Sequence, residues 1–475
     1  MKLYIKSILF SASIFFIGAC EEFEPNKGIE NPNLLLSNVI GSPGSTGSWI
    51  TGQERQMAIL YNRLLTLTEL GSDNYENTQT FFNQQFDGLN ILFQDADVNS
   101  LQFRIADLRT SANVGLQSVQ PADPDGTDAQ RGELLFYTGW AKLLAGELFV
   151  ALPDTELPES DAATPKTPAE NLAGAVVDFL AAEALDPTNA GHKLALARAY
   201  YALGDQTNAV TKANESLTID ASFTRQIEFD GPNGPDSDFA DALFDRGNFD
   251  DLQPLPRLDF LDPKYFVEGE TESPVFIQKS EEAYLILAEA ELANGDVVAA
   301  RGHLTDLLTL VGTRAMNTFD DAVEGRISKA RPAADTVMVR ASASDPFIAG
   351  LVINRDQGDV TVARISGTSI VQADVDALVD ELVALEMVYL MRQEIFIAEG
   401  RRFADLGIRI PISENEMLLN SSVTAAHILS SIPTFVPVDM DAFTVDIVAG
   451  TATITHNMNA VIVTNRANAA VAPFH

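Results

Sequence analysis

HKLALARAYYALGDQTNAVTKANESLTID, residues 192–220, and YLILAEAELANGDVVAARGHLTDLL, residues 284–308, share one plan. In each, a run of apolar residues at helical spacing ends at a Gly-Asp pair, Gly204-Asp205 and Gly295-Asp296. A small residue follows five positions after the glycine (Ala209, Ala300), and a leucine closes the second run thirteen after it (Leu217, Leu308). Glycine enters the left-handed region without steric cost and can turn the chain between antiparallel helices, while alanine lets two helix axes approach closely. Two helical hairpins of one design are therefore expected.

This spacing resembles the tetratricopeptide repeat. Two such units do not make an independent solenoid, so they should be built into a larger helical framework. The rest of the first half agrees. Over 53–70 the residues Met57, Leu60, Leu64, Leu67 and Leu70 recur at three- and four-residue steps, the mark of an amphipathic helix, and 91–118 and 131–150 continue the pattern. A further helix over 171–185 should stop before Pro187. The second half is more mixed. Stretches 231–256 and 331–367 are turn-rich, and 351–365 predicts a short hairpin around residues 356–358. Helix should return over 371–406, with Leu378, Leu382, Leu385, Tyr389, Phe396 and Phe403 on a common face. Segments 443–448 and 451–455 flank Ala449-Gly450 and predict a second hairpin.

Composition bounds the possibilities. The 475 residues are 46% hydrophobic, enough for a substantial core, and carry 31 Lys and Arg against 67 Asp and Glu, a formal charge of −36. A field of that sign repels phosphate backbones and anionic headgroups, which argues against nucleic-acid binding. One cysteine excludes an internal disulfide and a Cys-type zinc site.

That cysteine sits in MKLYIKSILFSASIFFIGACEEFE, residues 1–24. Lys2 and Lys6 form a positive n-region, and the apolar run 8–17 is too short to cross a bilayer, as in a secretory signal. Ile17-Gly18-Ala19-Cys20 resembles the bacterial lipobox, which implies cleavage before Cys20 and its acylation, without Lys2 and Lys6 and hence with a charge of −38. Glu21, Glu22 and Glu24 resemble the surface-export signal of Bacteroidota lipoproteins and imply the outer face of the outer membrane. Residues 1–19 would be the signal and 20–50 a lipidated tether.

LMRQEIFIAEGRRFADLGIR, residues 390–409, resembles the signature of the SusD/RagB family through Arg392, Glu394, Glu399-Gly400, Arg402 and Asp405-Leu406. Ile410-Pro411 with Glu414, Arg131-Gly132-Glu133, and Tyr284 with Ala288-Glu289-Ala290 resemble further family segments. The likeness runs from the lipobox to about Asn420 and leaves the last 55 residues unassigned. It implies a mainly α fold, a SusD-like all-helical framework with an N-terminal region over 51–230 and a C-terminal region over 231–475 that carries irregular loops and short β-hairpins. It also implies a non-enzymatic surface lipoprotein that binds an oligosaccharide or other nutrient oligomer and passes it to a SusC-like TonB-dependent barrel, with no cofactor. Physically, the charges of 392–405 read as structural. On a continuous helix Arg401 and Asp405, and Glu399 and Arg402, would form local pairs, and Glu394 and Arg401 would share a face.

No motif points to catalysis or metal binding. Residues 41–47, GSPGSTG, lack the Lys-Ser/Thr of a phosphate loop and follow no strand, so they read as a turn or linker. The acids of 123–128 lack calcium-loop spacing. His192, His303, His427, His456 and His475 lie far apart and read as surface or helix-turn residues. A glycosidase carboxylate pair could hide among 67 acids, but no spacing singles one out. For ligand binding, the candidates are Trp49, in a Gly/Ser loop before the first helix, and Tyr75, Phe81 and Phe82 in the polar loop GSDNYENTQTFFNQQ, residues 71–85. Aromatic faces among amide groups suit sugars; the same rings could equally pin the loop to the helices. Trp140 is expected in the core. A lipid-anchored scaffold that binds only proteins and a secreted glycoside hydrolase are the alternative readings.

Overall fold

Helix start and stop chemistry sets the framework. The computed structural model describes residues 40–78, 83–154, 163–244, 251–262, 264, 273–320, 332, 334–355 and 358–475. Cys20, the lipobox, most of the tether, Phe81 and Phe82 lie outside them. In chain order the elements begin with α1 (Ser45–Leu70), β1 (Tyr75–Asn77), α2 (Gln84–Asp87), α3 (Ala96–Val114) and α4 (Asp128–Leu148). Strands β2 (Leu152–Pro153) and β3 (Pro165–Lys166) lead into α5 (Pro168–Leu185), α6 (Ala190–Ala202) and α7 (Gln206–Ile219). Then come β4 (Thr224–Ile227), α8 (Asp238–Phe244), β5 (Leu252–Pro254), β6 (Val275–Lys279), α9 (Glu281–Ala293) and α10 (Val297–Val311). The remainder comprises β7 (Met316–Asp320), β8 (Met338–Arg340), β9 (Asp359–Ala363), α11 (Gln372–Asp376), α12 (Glu381–Ile395), α13 (Arg402–Asp405) and α14 (Glu414–Leu419). Strands β10 (Phe443–Asp446) and β11 (Thr451–Ile454) precede α15 (Met458–Thr464).

Both expected hairpins form, as α6–α7 and α9–α10. Gly204 and Gly295 have φ of 72° and 77°, and Ala209 and Ala300 are fully buried at the crossings. The aspartate after each glycine caps the second helix, with Asp205 accepting from the Asn208 amide at 3.2 Å and Asp296 from that of Ala299 at 2.9 Å. Such a cap is worth about 1 kcal/mol. Thr127 with Gln130 and Thr167 with Glu170 close capping boxes on α4 and α5, and Pro168 opens α5. Successive helices pack as neighbours from α3 through α7; α7 then packs on α9, α9 on α12 and α12 on α15. The hairpins are thus part of one mainly α framework, with a core that includes Trp140, fully buried with its Nε1 donating to Tyr61 Oη at 3.0 Å.

The sheets are small. Antiparallel pairs β1–β5, β2–β3, β4–β6 and β7–β9 accompany a three-stranded sheet in which β11 lies antiparallel to β10 and parallel to β8. The predicted β10–β11 hairpin is therefore present. The hairpin predicted within 351–365 does not form among the described residues, which leave out 356 and 357 of its expected turn: β9 pairs with β7, where Phe319, Val360 and Val362 bury together, and the Leu351 carbonyl accepts from Phe260. Its partner lies some forty residues upstream, beyond the reach of a local pattern.

Three other expectations are corrected. α1 begins at Ser45, so Trp49 stands in a helix and not in a loop; the Asp123 carboxylate accepts from the Gly44 and Thr46 amides at 3.0 and 2.8 Å and starts the helix early. Those amides hold Asp123 down to about 2. The helix expected over 371–406 is broken into α11, α12 and α13, with Ala398 and Gly400 at φ of 61° and 70° between the last two. His192 is fully buried and stacks on Phe136 at 6.0 Å, which corrects its reading as a surface or turn residue.

Candidate functional site

A buried charge demands a partner, and the break between α12 and α13 supplies partners from far along the chain. Arg402 forks onto Asp73, with Nε to Oδ1 at 2.6 Å and Nη2 to Oδ2 at 2.9 Å. Arg392 does the same to Asp405 at 3.2 and 2.7 Å. Arg401 pairs with Glu282, and Glu399 Oε1 accepts from both Lys264 and Lys279 at 2.6 Å. Glu394 accepts from the Thr368 and Ser369 hydroxyls and the Ser369 amide at 2.6–2.8 Å. The local pairs expected on a continuous helix, Arg401 with Asp405 and Glu399 with Arg402, are replaced by these distant ones, because the left-handed residues turn the two halves apart.

Gly400 makes that turn. Its amide donates to Glu69 Oε1 at 2.7 Å, and a Cβ there would meet Leu64 Cδ2 at 2.6 Å. Burial pushes Glu69 up to about 7. Gly400→Ala should cost about 1–2 kcal/mol for the left-handed backbone and about 1–3 kcal/mol for overpacking. An unchanged urea midpoint would refute this.

The frame fixes the segment that leads to β1. Asn74 Nδ2 donates to Glu69 Oε2 at 2.8 Å, and Gln393 Nε2 donates to Asp73 Oδ2 at 2.9 Å. Asn459 on α15 in turn donates to Gln393 Oε1 at 2.9 Å. β1 then pairs with β5, and its next residues form the wall of a cleft. This cleft, about 570 Å³, is lined by Glu76, Asn77, Asp87, Asp441, Ala442, Phe443 and Val445. Carboxylates and an amide offer paired acceptors and donors for hydroxyl groups, beside the apolar Phe443 and Val445.

The acids sense one another. Burial, then the charges of Asp87 and Glu76, pushes Asp441 up to about 7, and burial also raises Glu76. An unfolded aspartate titrates near about 3.9, so between about pH 4 and 7 the folded chain holds one proton more than the unfolded chain. Asp441 therefore subtracts stability as pH rises through that window. Asp441→Asn should flatten the decline, read as urea midpoints at pH 5 and 7.5. An identical decline in both proteins would refute the assignment.

The aromatic candidates fare differently from expectation. Tyr75 lies in β1 and not in a loop, is fully buried, and meets Phe239 edge-on at 6.4 Å. Trp49 donates Nε1 to the Ser111 carbonyl at 2.9 Å and packs where a Cβ on Gly115 would stand. Both rings pin chain to chain, and neither lines the cleft; Phe81 and Phe82 lie outside the described residues. What Tyr75 contributes is the placement of its neighbours Glu76 and Asn77. Sequence reasoning missed Asp441 and Phe443 as site residues, which belong to the unassigned last 55 residues; the one available signal was the acid-rich DMDAFTVD at 439–446, which runs into the first strand of the hairpin. Among the described residues, no group of three or more His, Asp or Glu is placed to hold a metal ion.

No protein-family profile and no curated protein matches the chain. Solved structures do. A SusD superfamily protein from Bacteroides fragilis superposes with a TM-score of 0.55 at 15% identity, over 81% of this chain and 100% of that one. A putative sugar binding protein from Bacteroides vulgatus gives 0.55 at 15% identity, over 83% and 98%. A SusD-like carbohydrate binding protein from the same organism gives 0.52 at 14% identity, over 77% and 83%. The fold is that of SusD superfamily proteins.

Proposed function

We propose that this chain, with its SusD-type fold, is a non-enzymatic binding protein whose ligand is an oligosaccharide held in the cleft between β1 and β10. The observation that carries the reading is the cleft itself: a concave wall of hydroxyl-binding groups, set by the same buried charges that resemble the family signature. Two of the structural neighbours are described as carbohydrate or sugar binding proteins, which supports the ligand class. The lipobox at Cys20 and the acids after it support anchoring at the outer face of an outer membrane. There the chain would hand its ligand to a SusC-like TonB-dependent barrel.

The test is glycan-array binding followed by calorimetry. Asn77→Ala and Glu76→Gln should each weaken oligosaccharide binding by roughly tenfold, the worth of about one hydrogen bond to a charged or amide group. Unchanged affinity in both variants would remove the cleft from the site. Isolation of the protein from membranes without a barrel, with protein partners and no saccharide affinity, would favour a scaffold.

A further inference from the structure

A separate cavity of about 360 Å³ lies between the ends of α4 and α6, lined also by Tyr389 and Arg392 of α12 and by residues of the segment 467–473. Its walls are crowded with charge, and nearly all of it is matched. Arg392 holds Asp405, Arg401 holds Glu282, and Glu147 receives Arg198 bidentately at 2.8 and 2.5 Å. Arg409 is the exception. Its Nη1 donates to the Gly146 carbonyl, and among the described residues no carboxylate stands within ion-pair distance of it. Burial works against its charge and lowers its pKa from the ordinary value, opposed by Glu147 at longer range.

A largely buried guanidinium without an anion is costly, and its planar fork is shaped for a carboxylate. The cavity has the volume of a small-ligand site, and the buried Tyr201 and Tyr389 form part of its lining. We infer that this cavity is a second binding site, for a sugar-sized carboxylate such as a uronic acid, whose carboxylate pairs with Arg409. The inference is independent of the cleft, which lies at β1 and β10.

The experiment is calorimetric titration of the purified protein with D-glucuronate and D-glucose. Glucuronate should bind saturably and at least tenfold more tightly than glucose. Arg409→Gln should abolish that preference while Arg409→Lys keeps part of it, and oligosaccharide binding in the cleft should be unchanged in both. Should Arg409→Gln fail to fold, the wild-type preference for glucuronate must still shrink as salt is raised. Equal binding of both sugars, no binding of either, or a preference that survives Arg409→Gln would overturn the inference. Inorganic phosphate competing as strongly as glucuronate would also overturn it, because the site would then be a bare anion pocket.

Discussion

Replacing Glu399 with alanine should lower the free energy of unfolding by at least about 3–5 kcal/mol, the usual penalty for stranding one buried charge. Here two buried lysines would lose the same carboxylate. Lys264 and Lys279 are fully buried, and both ammonium groups converge on one carboxylate oxygen. Backbone carbonyls hold them too: Ile395 and Ile397 accept from Lys264 at 2.8 and 3.2 Å, and Ile395 and Ile365 from Lys279 at 2.6 and 3.0 Å. Carbonyls satisfy hydrogen bonds but bring no counter-charge, and burial already pushes Lys279 down to about 7 against the pull of Glu399. Since whole domains are stable by only about 5–15 kcal/mol, the variant should be largely unfolded under mild denaturant. Glu399→Gln keeps an acceptor of the same shape and should fall between. Urea titrations of the three proteins decide it, and a loss below about 1 kcal/mol for the alanine variant would mean that water reaches the lysines.

Arg402→Met should cost about 3–5 kcal/mol and loosen the cleft as well. Asp73 would keep its contact with Gln393 but lose both guanidinium bonds in a site where neither partner is more than a few percent exposed. The segment from Ser72 to Asn74 would lose the anchor that places β1, so Glu76 and Asn77 would no longer present a fixed wall. The prediction has a built-in control. With Asp73→Leu added, no charge is left stranded, and the double variant should be more stable than Arg402→Met alone. Oligosaccharide affinity should nevertheless stay reduced in the double variant, because the hydrogen bonds that aim the segment are gone. A double variant no more stable than the single one would refute the charge argument.

The parts of the fold that were readable in the sequence are those written locally. A glycine, an alanine five residues on and a leucine thirteen on specify a hairpin within one stretch, and α6–α7 and α9–α10 follow that pattern. The β10–β11 hairpin was readable for the same reason, its turn lying between its two strands. The charged signature was recognisable as a pattern, yet its pairings were not, because an arginine in sequence does not say which of many acids it will meet. Arg402 and Asp73 are 329 positions apart. Trp49 and Tyr75 were misplaced for a related reason: an aromatic residue in polar surroundings looks exposed until the far segment that covers it is known, Ser111 and Gly115 for one and Phe239 for the other. Asp441 escaped notice because its importance comes from Asp87 and Glu76, which lie far from it in the chain.

That separation has a consequence in time. A ribosome adds roughly 5–20 residues per second, so about 15–65 s pass between the emergence of Asp73 and that of Arg402. For that interval Asp73, Glu69 and the future wall of the cleft exist without the guanidinium and amide that will place them. The local hairpins can form as soon as the chain is free to fold, but the cleft is among the last features to mature. A chain truncated before residue 402 should therefore never set the wall of the cleft, and any helper that shields the chain before it folds has this long-exposed, acid-rich segment to protect.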